Sequence, residues 1–185
     1  FGTISVSQPN STANLYLAKL DSSGKFAWAE TVNGPGYNMG FDVALDGQGE
    51  IYVTGSVGDG AKFGASTINP QGRHLFVAKA SSTGKWLWGV SGVKASSYSA
   101  SSTGYRVRVD AKGTAYAAGR AYGRLGFGAT TIKTRGYDAV AVAVDKSGKF
   151  LWADNFGGDG SDSGHGLYLN AAGHLFLTGE FDGVV

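Results

Sequence analysis

The stretch DSSGKFAWAE (residues 21–30) returns twice, as SSTGKWLWGV (81–90) and DKSGKFLWAD (145–154). Each copy runs from a polar turn closed by Gly-Lys, at Gly24, Gly84 and Gly148, into an aromatic, an aliphatic and a tryptophan. Trp28, Trp88 and Trp152 stand 60 and 64 residues apart. A period of that size marks a repeat architecture, in which each unit buries its apolar face on its neighbours.

The rest of the chain falls into the same period. Alternating apolar runs precede each turn: NLYLAKL (14–20), HLFVAKA (74–80) and DAVAVAV (138–144). Apolar residues at every second position argue for strands rather than helices. A strand, a short polar turn and a second strand make a hairpin, and the glycine supplies the positive φ that the turn needs. A variable connector follows each Trp strand, at 33–39, 91–103 and 157–163, and the four extra residues of the middle repeat fall in its Ser-rich copy. That copy is expected to be a solvated surface loop. A third strand (40–46, 104–110, 164–170) turns through DGQG, DAKG or NAAG into a fourth (50–57, 114–121, 174–181). Phe-Gly then recurs at Phe1-Gly2, Phe63-Gly64 and Phe127-Gly128.

Four hairpin-connected strands in a period of this length predict an all-β chain built as a β-propeller of four-stranded antiparallel blades. Residues 40–91 and 104–158 read as two whole blades. Residues 1–33 read as the outer strands of a split blade and 164–185 as its inner strands. Three repeats are too few to close a ring, since propellers have about 4–8 blades. The expected partners are therefore further blades, or copies of the chain joined head to tail so that the split blade completes itself between molecules.

Composition removes several classes. Gly is abundant, 31 of 185 residues, but 42% hydrophobic and 12% aromatic residues exclude a disordered low-complexity chain. The absence of cysteine excludes disulfides and thiolate metal sites. No apolar run reaches the roughly 20 residues of a membrane helix, so no membrane insertion is expected. No signal peptide is visible, but Phe1 falls inside a repeat, which makes that silent about secretion. A net charge of +2 is too small to imply nucleic acid. Its distribution is uneven: residues 104–136 carry seven Lys and Arg against Asp110 alone, and residues 150–185 carry no Lys or Arg.

The assembled order GFDVALDGQGEIYVTG, then Phe63-Gly64, then LFVAK, then STGK-x-x-W resembles the SBBP-type β-propeller repeat of bacterial cell-surface and secreted proteins. The resemblance spans essentially the whole chain and is strongest over 40–91. It implies a propeller of seven or a similar number of blades, an extracellular or cell-surface bacterial setting, and a binding or scaffold role with no catalytic residues to carry over. The chain departs from the pattern at Arg106 and Gly166, where Asp42 fits, and at Asn170, where Asp46 and Asp110 fit. The Asp-x-x-Gly-Lys-x-x-x-Trp order is also similar to the docking motif of quinoprotein propellers, although their repeats are shorter and nothing else here points to a quinone.

Each candidate site has a structural alternative. The tryptophans could form a carbohydrate platform, but recurrence at one repeat position, shared by Trp86 with Phe26 and Phe150, argues for packing between blades. The Asp-x-x-Gly turns could hold calcium, but an Asp that accepts N–H bonds within its own turn explains them equally, and Ser81 and Asn170 substitute there. The ion such oxygens suit is calcium, with Asp159 and Asp162 of GGDGSDSG as its best candidate ligands. Arg106 and Arg108, on one strand face, could line a cationic channel for an anion. The alternative is an ion pair between blades, because Asp42 precedes Arg106 by one repeat. Arg120, Tyr37 and Tyr98 complete the candidate ligand-binding set. His74, His165 and His174 lack metal spacing and no catalytic triad can be nominated, so no enzyme is expected. The leading reading is a structural or protein-interaction scaffold that presents its connectors to a partner protein or a surface polysaccharide. The alternatives are a lectin-like binder of acidic glycan and the propeller part of a secreted enzyme.

Overall fold

The structure, a computed structural model, describes residues 2–7 and 13–183. Phe1, half of the first Phe-Gly motif, and the last two residues of the 164–185 stretch lie outside the described residues. Every regular element described is a β-strand. The first repeat holds β1 (Tyr16–Leu20), β2 (Phe26–Thr31), β3 (Met39–Leu45), β4 (Ile51–Val57), β5 (Ala61–Phe63) and β6 (Ser66–Ile68). The second holds β7 (His74–Ala80), β8 (Trp86–Ser91), β9 (Val93–Lys94), β10 (Ser101–Val109) and β11 (Ala115–Phe127). The third holds β12 (Thr130–Val144), β13 (Phe150–Phe156), β14 (Ser163–Leu169) and β15 (Leu175–Glu180).

The strands form separate antiparallel sheets. Two are meanders of four consecutive core strands, β3-β4-β7-β8 and β10-β11-β12-β13, and two are isolated hairpins, β1-β2 and β14-β15. The middle strands of the meanders carry apolar or small residues on both parities, and β4 and β7 are buried throughout. The two meanders pack on one another through Tyr52, Leu75 and Val77 of the first and Val107, Ala117 and Val142 of the second. A second cluster joins Leu15, just before β1, and Leu17 of β1 to Phe63 of β5 and to Val53 and Phe76 of the first meander.

Two details go beyond the four-strand unit. The Phe-Gly motif is the tip of an extra hairpin, separate as β5-β6 in one repeat and fused into the long β11 and β12 in the next. The Ser-rich connector is also more ordered than its composition suggests. Its residues form β9, which pairs with β11 through Leu125↔Lys94, and its last part enters β10 with Ser102 buried.

Each third strand bulges at the same place, between Gly40 and Asp42, Gly104 and Arg106, and Gly164 and Gly166. Opposite each bulge stands a glycine of the fourth strand, Gly55, Gly119 or Gly179, where a Cβ would collide with the carbonyl of Met39, Thr103 or Ser163. That close approach makes glycine obligatory in the T/A-G step.

The recurrent tryptophan closes the contact between repeats. Gly84 has φ +89°, and a Cβ on it would lie 2.8 Å from the Trp28 ring; Gly148 has φ +90° and meets Trp88 at 3.1 Å. Each indole therefore lies on the Gly-Lys turn of the following repeat. Trp88 also donates its Nε1–H to the Lys146 carbonyl at 3.1 Å. Gly24 has the same turn conformation, φ +82°, with no atom of the described residues within 4 Å of a Cβ placed on it, and Trp152 is 37% exposed.

Candidate binding surface

The Asp-x-x-Gly turns are internally satisfied. Asp21 Oδ1 accepts the amides of Ser23 (2.8 Å) and Lys25 (3.1 Å), and Asp46, Asp110 and Asp145 repeat the pattern. Ser81 and Asn170 do the same work through Oγ and Oδ1. The hydroxyls of Ser23 and Ser147, with these amides, hold the Asp21 and Asp145 carboxyls below their ordinary range. An oxygen already accepting two amides is a turn-former first.

The arginines of β10 face an acid one sheet away. Asp42 Oδ2 accepts both the Val107 amide and Arg108 Nη1, each at 3.0 Å. The ion pair is thus made by Arg108 rather than by Arg106, the repeat counterpart of Asp42. The bulge at Gly104–Arg106 and the bond to Val107 seat the carboxylate beside residue 108. Arg106 turns its Nη1 onto its own Tyr105 carbonyl at 2.7 Å. Arg120 lies over the Tyr137 ring, 4.7 Å from its centroid, a cation–π contact.

Asp159 and Asp162, paired by sequence, are separated in role. Asp159 is exposed and meets Arg135 at 3.5 Å. Asp162 is buried, and its two oxygens accept the amides of Gly158 and Asp182, both at 2.9 Å. Its real neighbour is Asp138, buried at the start of the β12 core segment. A Cβ on Gly157 would run into Asp162 Oδ2 and lie 3.0 Å from Asp138 Oδ1. Asp138 Oδ2 accepts from Asn155, while Oδ1 is buried with no hydrogen-bond partner among the described residues. Burial, and then the nearby Asp162 charge, push the Asp138 carboxyl up.

This pair is one of three at equivalent positions. Asn38 Nδ2 donates to Asn14 Oδ1 at 2.8 Å, and Ser102 Oγ lies 3.4 Å from His74 Nδ1. Burial lowers the His74 pKa to about 4, so the ring is neutral near pH 7. An amide pair, an imidazole–hydroxyl pair and a carboxyl pair thus occupy one structural position. Aligning the repeats back from Gly40, Gly104 and Gly164 would have found these residues, but not their contact.

Of the predicted aromatics, Tyr37 is exposed and Tyr98 is 82% exposed. Tyr98 lines a cleft of about 380 Å³ with Ser96, Tyr122, Arg124, Lys133 and Arg135. The β11–β12 extension supplies one wall and the connector, held by β9, the other. Arg124 and Lys133 stand directly opposite one another across the strand pair. Like charges so placed are destabilising, and here they leave a cationic floor beneath two tyrosines. One repeat earlier the corresponding positions are Gly60, Asn69 and Gln71, so the preceding Phe-Gly hairpin lacks this charge. Arg106 and Arg108 are not among the cleft-lining residues.

No protein-family model matches the chain, and no curated protein matches it.

Proposed function

We propose that the chain is a β-propeller segment of the SBBP-like kind, working at or outside the bacterial cell surface as a non-catalytic interaction scaffold. The repeated four-stranded meanders, and the Trp-over-turn contact that recurs from one repeat to the next, support the architecture. The extracellular setting rests on the resemblance of the repeat. One observation carries the function. The residues that recur are consumed by packing and turns, whereas exposed tyrosines and a cluster of cations that do not recur stand on a connector and a Phe-Gly hairpin. A sheet stack whose connectors vary in length and charge while its turns and tryptophans recur is suited to display.

The cleft under Tyr98 favours a second reading within the same class: an acidic polysaccharide bound by Arg124, Lys133 and Arg135 with tyrosine rings as stacking surfaces. A glycan array followed by calorimetry separates the two. Binding of a uronic-acid or sulfated glycan, lost in an Arg124→Ser/Lys133→Ser variant, establishes the lectin-like reading. An array with no acidic hit leaves protein display, and turnover of any arrayed glycan would sink both.

A further inference from the structure

The cations of the middle repeat do not end at the Tyr98 cleft. On β12 the exposed side carries Lys133, Arg135 and Tyr137, while Ile132, Thr134 and Asp138 are buried. That alternation is the mark of a strand with one wet face. On β11 the register sets Arg124 opposite Lys133 and Tyr122 opposite Tyr137, with Arg120 one step further, opposite Ala139. From the hairpin tip inward, the ribbon therefore presents a cation cluster, a tyrosine pair and a single cation. Its wet face is not a sheet edge: β11 lies between β10 and β12, and β12 between β11 and β13.

The parts of this row hold one another in place. The Tyr122 and Tyr137 rings lie 5.2 Å apart, and the Arg120 guanidinium lies over Tyr137. Both rings stay exposed. Among the described residues Arg120, Arg124 and Lys133 make no ion pair, whereas Arg135 meets Asp159. Arg120 stands four positions from Arg124 on one strand, roughly 13 Å at about 3.3 Å per residue. One anionic group cannot bridge that gap. Two can, if an uncharged ring lies between them with its apolar face on the tyrosines.

We propose that the β11–β12 ribbon is a track for an acidic glycan whose charged sugars alternate with uncharged ones. One charged sugar enters the Tyr98 cleft, where Arg124, Lys133 and Arg135 hold its anion. The uncharged neighbour lies on Tyr122 and Tyr137, and the next charge reaches Arg120. A nucleic acid strand, charged at every unit, fits this order less well. Its phosphates would fall on the tyrosines as well as on the cations, and beyond Arg135 they would meet Asp159. The inference rests on the acidic-glycan reading of the cleft and goes beyond it by fixing the order of charges along the ligand.

The test is calorimetry of the full chain at low salt, with two hexasaccharides of equal length. Hyaluronan, in which a uronic acid alternates with an uncharged N-acetylhexosamine, is set against oligogalacturonate, in which every sugar is charged. The expected result is binding of the hyaluronan at least about tenfold tighter. Arg120→Ser should weaken hyaluronan binding about fivefold, the scale of one exposed charge contact, and Arg120→Lys, which keeps the charge, should restore most of it. Equal affinity for the two glycans overturns the alternation and leaves the acidic-glycan reading standing. So does an Arg120→Ser variant that binds hyaluronan as tightly as the parent. Tighter binding of a single-stranded oligonucleotide overturns the glycan assignment of the track. Failure of both glycans to bind removes the acidic-glycan reading itself, and this inference with it.

Discussion

Tyr52 and Phe176 occupy one position of the repeat and live in opposite environments. The first is sealed between two meanders, and the second stands on a two-stranded hairpin with most of its ring in water. Nothing in the local sequence separates them: EIYVTG and HLFLTG are equally suited to a strand. The burial of a residue here is decided by the neighbouring repeat rather than by its own, as expected where stability is a sum of nearest-neighbour contacts.

That contrast can be broken most sharply at the ring itself. Tyr52→Ala should cost roughly 3–5 kcal/mol in urea unfolding, through cavity formation and the lost bond to Gly113. Phe176→Ala, measured in dilute solution, should stay within about 0.5 kcal/mol. Similar losses at both sites would mean that the two environments are not different in solution.

The three buried polar pairs sharpen the comparison through pH. His74 titrates near 4 in the folded chain and near 6.5 when unfolded. Across that window the unfolded chain holds more protons, so stability rises with pH from 4 to 6.5 and is withdrawn on acidification. The expected loss is roughly 3 kcal/mol over the full window, and His74→Asn, which copies the residue of the Asn14 pair, should flatten it. A wild-type profile flat between pH 4 and 6.5 would contradict a buried neutral imidazole.

The turns come next. Gly84→Ala meets both a left-handed φ and the Trp28 ring, and should cost about 2–3 kcal/mol. Gly24→Ala meets the φ alone, and should cost about 1 kcal/mol. Thermal melts of the two variants at equal concentration compare a covered turn with an open one.

Asp138 completes the set, with a sign opposite to that of His74. Its folded pKa is raised, so the folded chain holds the extra proton and stability falls as pH rises past the ordinary carboxyl range. Asp138→Asn should therefore gain on the order of 1 kcal/mol near pH 8 and nothing near pH 3, as a buried carboxyl gives way to a neutral donor. A destabilised variant at pH 8 would mean that the charge is matched by a cation.

Much of this was legible beforehand, for local reasons. The alternation of DAVAVAV and EIYVTGSV, and the Asp-x-x-Gly turns, encode strands and hairpins within a few residues, and those elements lie where the pattern put them. The Tyr52–Gly113 bond, the Arg108–Asp42 pair and the Asp138–Asp162 pair join residues far apart in the sequence or from different elements. The register that brings them together is set by a bulge and by connector length, neither of which leaves a local pattern. The basic cleft was half visible: Tyr98 and the run of cations could be read separately. The wall that unites them is the fused β11–β12 extension, which composition had marked only as basic.

The indole-on-turn contact also sets a timetable for synthesis. Trp28 cannot be covered until Gly84, a whole repeat later, has left the ribosome. At about 5–20 residues per second that leaves it bare for several seconds, and Trp88 then waits on Gly148 in the same way. A nascent chain of this kind always carries one uncapped aromatic at its growing edge.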